Sequence, residues 1–263
     1  GEGTQRQFRK AKLNPCKITK ILITHWHGDH VLGLPGLLQT MAFSEYQKGL
    51  TIYGPKGTKK YMKGMFDTFA FVNKFPLKVI EVIKDGTFFE DDEFYLESKK
   101  MVHNVPCNAY HFIKKGERRI DKSKLKKAGL SPGPLLQKLK EGKDIVFNKK
   151  KFKSKDLTFQ EENIKVSFVL DTKLNNKIIP FVKKSNLLVC EATFEHGKER
   201  LARGKYHLTA SQAAEIAKRS EAKRLILTHV SQRYEKKLES VLKAATKIFK
   251  KSSLVDDLYR VQV

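Results

Sequence analysis

Short apolar runs alternate with longer stretches of mixed apolar and charged residues along most of the chain. The runs are rich in β-branched residues, a composition that predicts buried strands. They occupy residues 20–24, 50–53, 77–83, 94–101, 109–113, 164–170, 187–190 and 225–228. Helical patterns lie between them, at residues 4–14, 31–47, 57–68, 211–219 and 234–250. Strands that alternate with helices predict an α/β fold.

Five of the predicted strands end at or just before an ionisable residue. These residues are His25, His103, Asp171, Glu191 and His229. A single aspartate in such a position is often a helix cap, but three histidines among five strand ends are harder to explain in that way. Sites in α/β folds gather at the loops beyond the strand ends. The pattern therefore predicts one shared site.

The densest strand end spans residues 25–30, which include three histidines and one aspartate. His25 and His27 point the same way in an extended segment, and Gly28 then permits a tight turn. Asp29 and His30 follow where a helix is predicted to begin, so they approach from another direction. Neighbouring positions of this kind cannot easily surround one ion, but they can supply two ligands to each of two ions. Imidazole nitrogens and carboxylate oxygens are both ligands of zinc.

Adding the distant strand ends gives a set of candidate metal ligands. They are His25, His27, Asp29, His30, His103, Asp171 and His229. If one aspartate bridges two ions, each ion has about four protein contacts, which leaves room for a bridging hydroxide as a catalytic site requires.

Charge adds a second indication of function. The 263 residues include 53 Lys and Arg against 28 Asp and Glu, a formal charge of +25. Such an excess predicts a polyanionic partner such as nucleic acid. The alternative is a lysine-rich composition with solvated surface lysines.

The placement of the charge favours the nucleic-acid interpretation. Residues 114–160 hold 16 Lys or Arg and 5 Asp or Glu, a net charge of +11 in 47 residues. At its middle, Pro and Gly in residues 129–136 predict a turn between short helical pieces. We expect a projecting basic arm inserted into a single domain that spans residues 1–263. A flexible lysine-rich loop is the alternative.

The three cysteines are Cys16, Cys107 and Cys190, widely spaced and without a CxxC pair. They predict a reducing compartment, the cytoplasm. No apolar run approaches the ~18 residues of a transmembrane helix. Nor do the first residues resemble a signal peptide. We therefore expect no membrane partner.

Several motifs are more specific than a ligand set. They are residues 1–7 (GEGTQRQ), 27–38 (HGDHVLGLPGLL), 53–57 (YGPKG), 191–194 (EATF) and 227–234 (LTHVSQRY). Together with the candidate ligands, these motifs resemble the ribonuclease Z family of the metallo-β-lactamase superfamily. The resemblance runs from residue 1 to about residue 250.

The resemblance implies a four-layer αβ/βα fold and a site with two Zn²⁺ ions, or with Mn²⁺ or another divalent metal. It implies removal of the 3′ trailer from precursor tRNA, leaving a 3′-hydroxyl on the tRNA and a 5′-phosphate on the trailer. It also implies a homodimer. The basic segment matches the family's flexible, tRNA-binding arm, and Gly133 and Pro134 match the glycine-proline motif of that arm.

Roles for further residues come from the same resemblance. His207 begins the sequence His-Leu-Thr, where the family has His-Ser-Thr, and is expected to protonate the leaving oxygen. Glu191 is expected to orient His207. Asp29 is expected to be a ligand that also holds the attacking water as a base. Arg233 is singled out by its position instead, four residues after His229, and is expected either to touch a substrate phosphate or to form a structural salt bridge.

The chain departs from the family in two further respects. Family members begin well upstream, with early strands that this sequence lacks, so we expect a fragment. Cys190 stands where the family usually has histidine. Two alternatives therefore stay open: another hydrolase of the superfamily, acting on a small phosphodiester, thioester or lactone, or an inactive, truncated chain that binds RNA.

Three other side chains are expected to lie outside the chemistry. Trp26 is expected to pack behind the site. His111 is expected to face solvent from its strand, and His196 to lie in a polar loop without a role.

Overall fold

The computed structural model describes residues 1–70, 75–131 and 133–263; Pro132, part of the predicted turn, lies outside the described residues. The strands are β1 Lys20–Leu22, β2 Leu50–Gly54, β3 Leu77–Glu81, β4 Gly86–Glu90, β5 Phe94–Lys100, β6 Asn108–Lys114, β7 Arg118–Ile120, β8 Ile145–Phe147, β9 Lys150–Phe152, β10 Thr158–Gln160, β11 Ile164–Val169, β12 Leu187–Glu191, β13 Leu225–Thr228 and β14 Ser252–Leu254.

The α-helices are α1 Thr4–Lys10, α2 Gly28–Val31, α3 Gly33–Phe43, α4 Thr58–Thr68, α5 Lys122–Lys127, α6 Leu135–Lys140, α7 Ser154–Leu157, α8 Ile178–Phe181, α9 Glu199–Gly204, α10 Ala210–Arg219 and α11 Leu238–Ile248. Two 3₁₀ helices span Pro15–Lys17 and Gln232–Lys237. Every strand and helix predicted from the apolar pattern has a counterpart among these elements. The short strands β4 and β14 and the strands of the basic segment were not predicted, because three to five residues carry too little pattern.

Two sheets form the larger compact unit, which comprises residues 1–90, 95–112 and 165–263. The first sheet is parallel throughout, in the order β1-β2-β3. The second sheet has the order β14-β13-β12-β11-β6-β5-β4. Its strands β11 to β14 run parallel, whereas β4 and β5 are antiparallel.

Each sheet buries one face under helices. On the first sheet, Leu38 and Met41 of α3 belong to one apolar cluster with Leu50 and Ile52 of β2. On the second sheet, α10 contributes small side chains that allow close packing against Leu188, Leu225 and Leu227. The hydroxyl of Thr209 accepts a hydrogen bond from the Gln212 N–H and, in return, the Gln212 side chain accepts from the Thr209 N–H. This capping box fixes the start of α10, directly after His207 and Leu208.

The opposite faces of the two sheets meet through aromatic rings. Tyr53 follows Ile52 on β2, so it points away from the helix side. Its ring centroid lies 5.0 Å from that of Phe88 on β4, which lies 5.8 Å from that of Tyr110 on β6. The order helix, sheet, sheet, helix is that of the four-layer αβ/βα fold.

Hydrogen bonds also join the two sheets near the end of β1. The Asn108 N–H donates to the Thr24 carbonyl at 2.9 Å, and the Tyr110 hydroxyl donates to the Ile23 carbonyl at 2.8 Å. The Asn108 side chain donates to the Val82 carbonyl at 2.9 Å. These bonds hold the segment that leads to His25 against the second sheet.

The second compact unit comprises residues 91–94 and 113–164. Strands β7 and β10 pair antiparallel, and β8 and β9 form a hairpin. Its own apolar cluster consists of Leu125, Leu130, Leu139, Ile145 and Leu157. Its basic side chains are therefore carried on elements that share a small core. None of the helices formed by the described residues has both the length and the hydrophobicity that crossing a bilayer requires.

The expectation that His111 faces solvent is wrong. Ala109 lies on the helix-covered face of β6, and His111, two residues on, shares that face. Its side chain is 2% exposed, stacks on Phe181 of α8 at a centroid distance of 3.7 Å, and contacts Glu97 at 3.2 Å. Burial lowers the pKa of His111 to about 4, although the hydrogen bond to Glu97 opposes this effect.

Acidification from pH 6.5 to about 4 should lower the free energy of unfolding through His111. In this window the unfolded chain binds a proton that the folded chain excludes, so stability rises with pH. His111→Gln should flatten the pH dependence of urea unfolding over this range. His196→Gln is the matched control, because that side chain is 71% exposed. Equal slopes in all three proteins would contradict this assignment.

Candidate metal centre and active site

The ends of five strands meet at one edge of the two sheets. Strands β11, β12 and β13 are neighbours and parallel, so Asp171, Glu191 and His229 reach the same edge. The segment after β1 brings His25 there, and the loop after β5 brings His103. Charge pairs and ring contacts join these side chains to one another. The predicted convergence of the strand ends is therefore present in the fold.

Two of these residues have an unusual backbone conformation. The φ angles are 32° at Asp171 and 55° at His229, both in the left-handed region that non-glycine residues rarely adopt. A residue held there costs about 1–3 kcal/mol and persists where the surroundings fix it. Both strands therefore turn abruptly at the residue that faces the site.

Four side-chain atoms form the first donor group. The His27 Nδ1 atom lies 3.2 Å from His25 Nε2 and 3.3 Å from His103 Nε2. The Asp171 Oδ2 atom lies 3.4 Å from His25 Nε2 and 3.8 Å from His103 Nε2. The three imidazoles and the carboxylate thus lie close enough together to bind one ion.

A second donor group lies beside the first. The His30 Nε2 atom lies 3.2 Å from both His229 Nε2 and Asp29 Oδ2. The Asp171 Oδ1 atom lies 3.5 Å from His30 Nε2 and 3.4 Å from His229 Nε2. The two oxygens of Asp171 therefore face different groups, the position that a bridging aspartate would need.

The Asp171 carboxylate fits a site for cations. Its side chain is 3% exposed, and its Oδ1 atom has no hydrogen-bond donor among the described residues. A buried carboxylate oxygen without a donor is strongly destabilising. Burial alone would raise the pKa of Asp171, but the adjacent imidazoles of His25, His30 and His229 hold it well below its usual range. A divalent cation bound here would supply the missing partner.

The imidazoles also suit metal binding. Burial lowers the pKa of His25, and lowers that of His103 to about 4, although the charge of Asp171 opposes both shifts. These rings are therefore neutral near pH 7 and offer a lone pair to a metal. Their other nitrogens have partners: the Thr24 hydroxyl lies 3.2 Å from His25 Nδ1, and the Tyr206 carbonyl lies 3.2 Å from His103 Nδ1. Such contacts orient metal-binding histidines.

His207 and Glu191 form a pair next to the second donor group. The His207 Nδ1 atom lies 3.1 Å from Glu191 Oε2, and its ring is stacked on that of His229 at 5.4 Å. Glu191 is fully buried and accepts hydrogen bonds from the Leu208 and Thr172 N–H groups at 3.0 and 2.7 Å. Burial tends to lower the pKa of His207, but Glu191 raises it above its ordinary value.

The Thr193 hydroxyl joins this pair to a candidate ligand. It lies 2.7 Å from Glu191 Oε2, 3.2 Å from His207 Nδ1 and 2.9 Å from His229 Nδ1. Thr193 was not singled out from the sequence, although it stands two residues after Glu191 in one of the recognised motifs. Tyr206 contacts His103 through its backbone carbonyl. Such a contact cannot be predicted from the type of side chain.

The remaining predicted residues have other contacts or surroundings. The Arg233 guanidinium lies 5.3 Å from the Phe194 ring centroid, and its Nε donates to the Ser231 hydroxyl at 3.1 Å. Trp26 packs against the apolar cluster of the first sheet and donates to the Thr58 hydroxyl at 2.9 Å. Gly133 and Pro134 belong to the second compact unit, directly before α6.

Comparison with known proteins identifies the family. Residues 1–106 match the metallo-β-lactamase superfamily. The chain is 38% identical over 264 aligned positions to a ribonuclease Z of Bacillus cereus, covering 98% of this chain and 85% of that protein. The chain belongs to the ribonuclease Z family. Ribonuclease Z of Bacillus thuringiensis (strain Al Hakam) is likewise 38% identical, with the same coverage.

Solved structures agree with the ribonuclease Z assignment. The short form of human tRNase Z superposes with a TM-score of 0.69 at 25% identity, covering 98% of this chain and 84% of the human one. The metallo-β-lactamase fold protein YhfI from Bacillus subtilis superposes with a TM-score of 0.64 at 17% identity, which shows the shared fold alone. Family membership and the donor set together make the cluster a divalent-metal site.

The carboxylate of Asp171 should matter more for metal binding than that of Asp29. Asp171→Asn removes charge from both donor groups and should weaken zinc binding by more than about 100-fold, whereas Asp29→Asn changes the second group only. Zinc titration of chelator-treated protein measures both effects. Asp67→Asn is the control, since that carboxylate is 60% exposed and pairs with Lys63. Wild-type zinc content in Asp171→Asn would refute the bridging role.

Proposed function

We propose that this chain is a zinc-dependent endoribonuclease that removes the 3′ trailer from precursor tRNA. The products are a tRNA with a 3′-hydroxyl and a trailer with a 5′-phosphate. The observation that carries the proposal is the carboxylate of Asp171, which faces two donor groups next to the His207–Glu191 pair. This arrangement is found in a chain that is 38% identical to a ribonuclease Z.

Two Zn²⁺ ions are the proposed occupants of the donor groups. His25, His27 and His103 would hold one ion, Asp29, His30 and His229 would hold the other, and Asp171 would contribute to both. Bound zinc ions lower the pKa of a coordinated water and offset charge that develops on the phosphoryl oxygens.

The residues of the chain supply the proton transfers. The carboxylate of Glu191 holds the Nδ1 proton of His207 and stabilises the charged imidazolium. The Nε2 proton of that imidazolium is then available to the leaving 3′ oxygen of the tRNA. Asp29, whose side chain is 58% exposed beside His229, is proposed to accept a proton from the attacking water.

Substrate binding is assigned to basic residues, as the charge of +25 indicates. Lysines of residues 114–160 are proposed to bind tRNA phosphates, contacts that position the RNA without reading its sequence. Gly133 has open space around an added Cβ atom and an ordinary φ angle, so neither packing nor conformation requires a glycine there. We also propose that Gly133 and Pro134 contact the RNA and that Arg233 contacts a phosphate.

The protein is further proposed to assemble as a homodimer and to be located in the cytoplasm.

Cleavage of precursor tRNA tests the reaction itself. The wild-type protein should release the trailer with a 5′-phosphate, and a chelator or His27→Ala should reduce the rate by at least about a thousandfold, because the metal contribution amounts to several kcal/mol. His196→Ala should cleave like wild type. Cleavage that persists without metal would refute the metal mechanism, and a preference for a thioester, lactone or small diester would indicate a different hydrolase.

Removing charge from the basic segment should weaken tRNA binding. The triple change of Lys122, Lys126 and Lys140 to serine spares the apolar cluster of this unit. It should raise the Kd for precursor tRNA, and the dependence of log Kd on log salt should become shallower by up to about 0.9 for each phosphate that the variant no longer binds.

The control for this triple variant changes Lys243, Lys247 and Lys250, which are exposed on and just after α11. It removes the same charge from the larger unit, so it separates local contacts from overall charge. Equal loss of affinity in the two triple variants would contradict a specific role for the basic segment.

A further inference from the structure

A cavity of about 440 Å³ borders His207. Three cationic side chains line it, those of Lys173, Arg200 and Arg203, together with the acidic Glu199. Its volume lies within the range of about 300–1,000 Å³ that is usual for small-molecule sites. Because His207 also belongs to a potential metal-binding group with Asp171, the cavity adjoins the metal centre.

The cations of this cavity are carried on two ordered parts of the fold, the segment after β11 and the helix α9. The Lys173 backbone N–H donates to the Val102 carbonyl at 3.0 Å, and the Lys173 ammonium lies 4.9 Å from the ring centroid of Tyr206. Arg200 and Arg203 are three residues apart on α9, so they share one face of that helix. The three positive charges therefore converge on one space.

The single carboxylate in the cavity wall already has partners. The Gly197 N–H donates to the Glu199 Oε1 atom at 3.1 Å, and the His196 Nδ1 atom lies 3.7 Å from the same oxygen. Glu199 thus offsets only part of the positive charge. The cavity suits an anionic group, and the planar guanidinium of arginine binds phosphate oxygens in pairs.

The position of His207 indicates which phosphate this is, given the proposed function on which this inference rests. His207 protonates the leaving 3′ oxygen, so the nucleotide that carries this oxygen lies against its ring. The next phosphate on that side of the nucleotide is the one at its 5′ position. We propose that Lys173, Arg200 and Arg203 bind the phosphodiester one nucleotide upstream of the scissile bond.

This subsite would anchor the last nucleotide of the mature tRNA. Phosphate contacts fix the register of a strand but do not read its bases. With the upstream phosphate held, the 3′ oxygen is confined near His207, which favours the reactive geometry.

A precursor tRNA with one uncharged methylphosphonate linkage tests the subsite. Placed one nucleotide upstream of the scissile bond, this linkage should lower the wild-type kcat/KM by about tenfold or more, since it cannot form charge-assisted hydrogen bonds. The Arg200→Ala/Arg203→Ala double variant should cleave the natural precursor with a similarly lowered kcat/KM. With the modified linkage, the kcat/KM of the double variant should fall by no more than about twofold further, because the variant no longer binds that phosphate.

Lys198→Ala/Lys205→Ala is the matched control, because these two lysines flank α9 directly and do not line this cavity. It should keep the wild-type sensitivity to the upstream linkage. A methylphosphonate one nucleotide downstream should affect all three proteins equally. Thermal unfolding midpoints and zinc content of the variants establish that they are folded.

The outcomes separate the two proposals. A double variant that stays as sensitive as wild type to the upstream linkage would overturn the subsite, as would coupling to the downstream linkage instead. Cleavage of the natural precursor by the wild type would stand in both cases, so the proposed function would survive. Failure of the wild type to cleave the natural precursor would overturn the proposed function and the subsite with it.

Discussion

Burying the charge of Asp171 is the constraint on which the arrangement of both sheets depends. An ionised carboxylate in the interior is strongly destabilising unless it has partners, and this one is surrounded by imidazoles from both sheets. Because no single strand can supply these rings, strand ends from both sheets have to meet at one site. The hydrogen bonds of Asn108 and Tyr110 to Thr24 and Ile23 fix the segment before His25 against the second sheet.

A second buried carboxylate, on the neighbouring strand, has a different environment. Glu191 accepts hydrogen bonds from backbone N–H groups and from Thr193, and its remaining contact is with His207. Asp171 instead faces imidazoles and leaves one oxygen without a donor among the residues that the structure describes. Two acidic side chains one strand apart therefore suit separate tasks, one toward cations and the other toward a proton carrier. Their hydrogen-bond partners make this difference.

Much of this could be predicted from local pattern. The apolar runs located the main strands, and the spacing of His25, His27 and His30 indicated two directions of approach. The burial of His111 could not be predicted, because it depends on a short helix, α8, that covers β6 from a distant part of the chain. The split of the Asp171 oxygens between two groups and the positive φ angle at that residue likewise arise from tertiary packing. A spacing rule gives candidates for a site, whereas the assignment of atoms requires the fold.

The contacts of the Thr193 hydroxyl determine which partner donates in each of its hydrogen bonds. A hydroxyl has one proton, and a carboxylate can only accept, so Thr193 donates to Glu191 and must accept from His229. His229 therefore carries its proton on Nδ1, which leaves the lone pair on Nε2 facing Asp29 and His30. The tautomer of this candidate ligand is thus set by Glu191, two hydrogen bonds away and outside both donor groups. The hydrogen bonds of Glu191 therefore orient both His207 and, through Thr193, the candidate ligand His229.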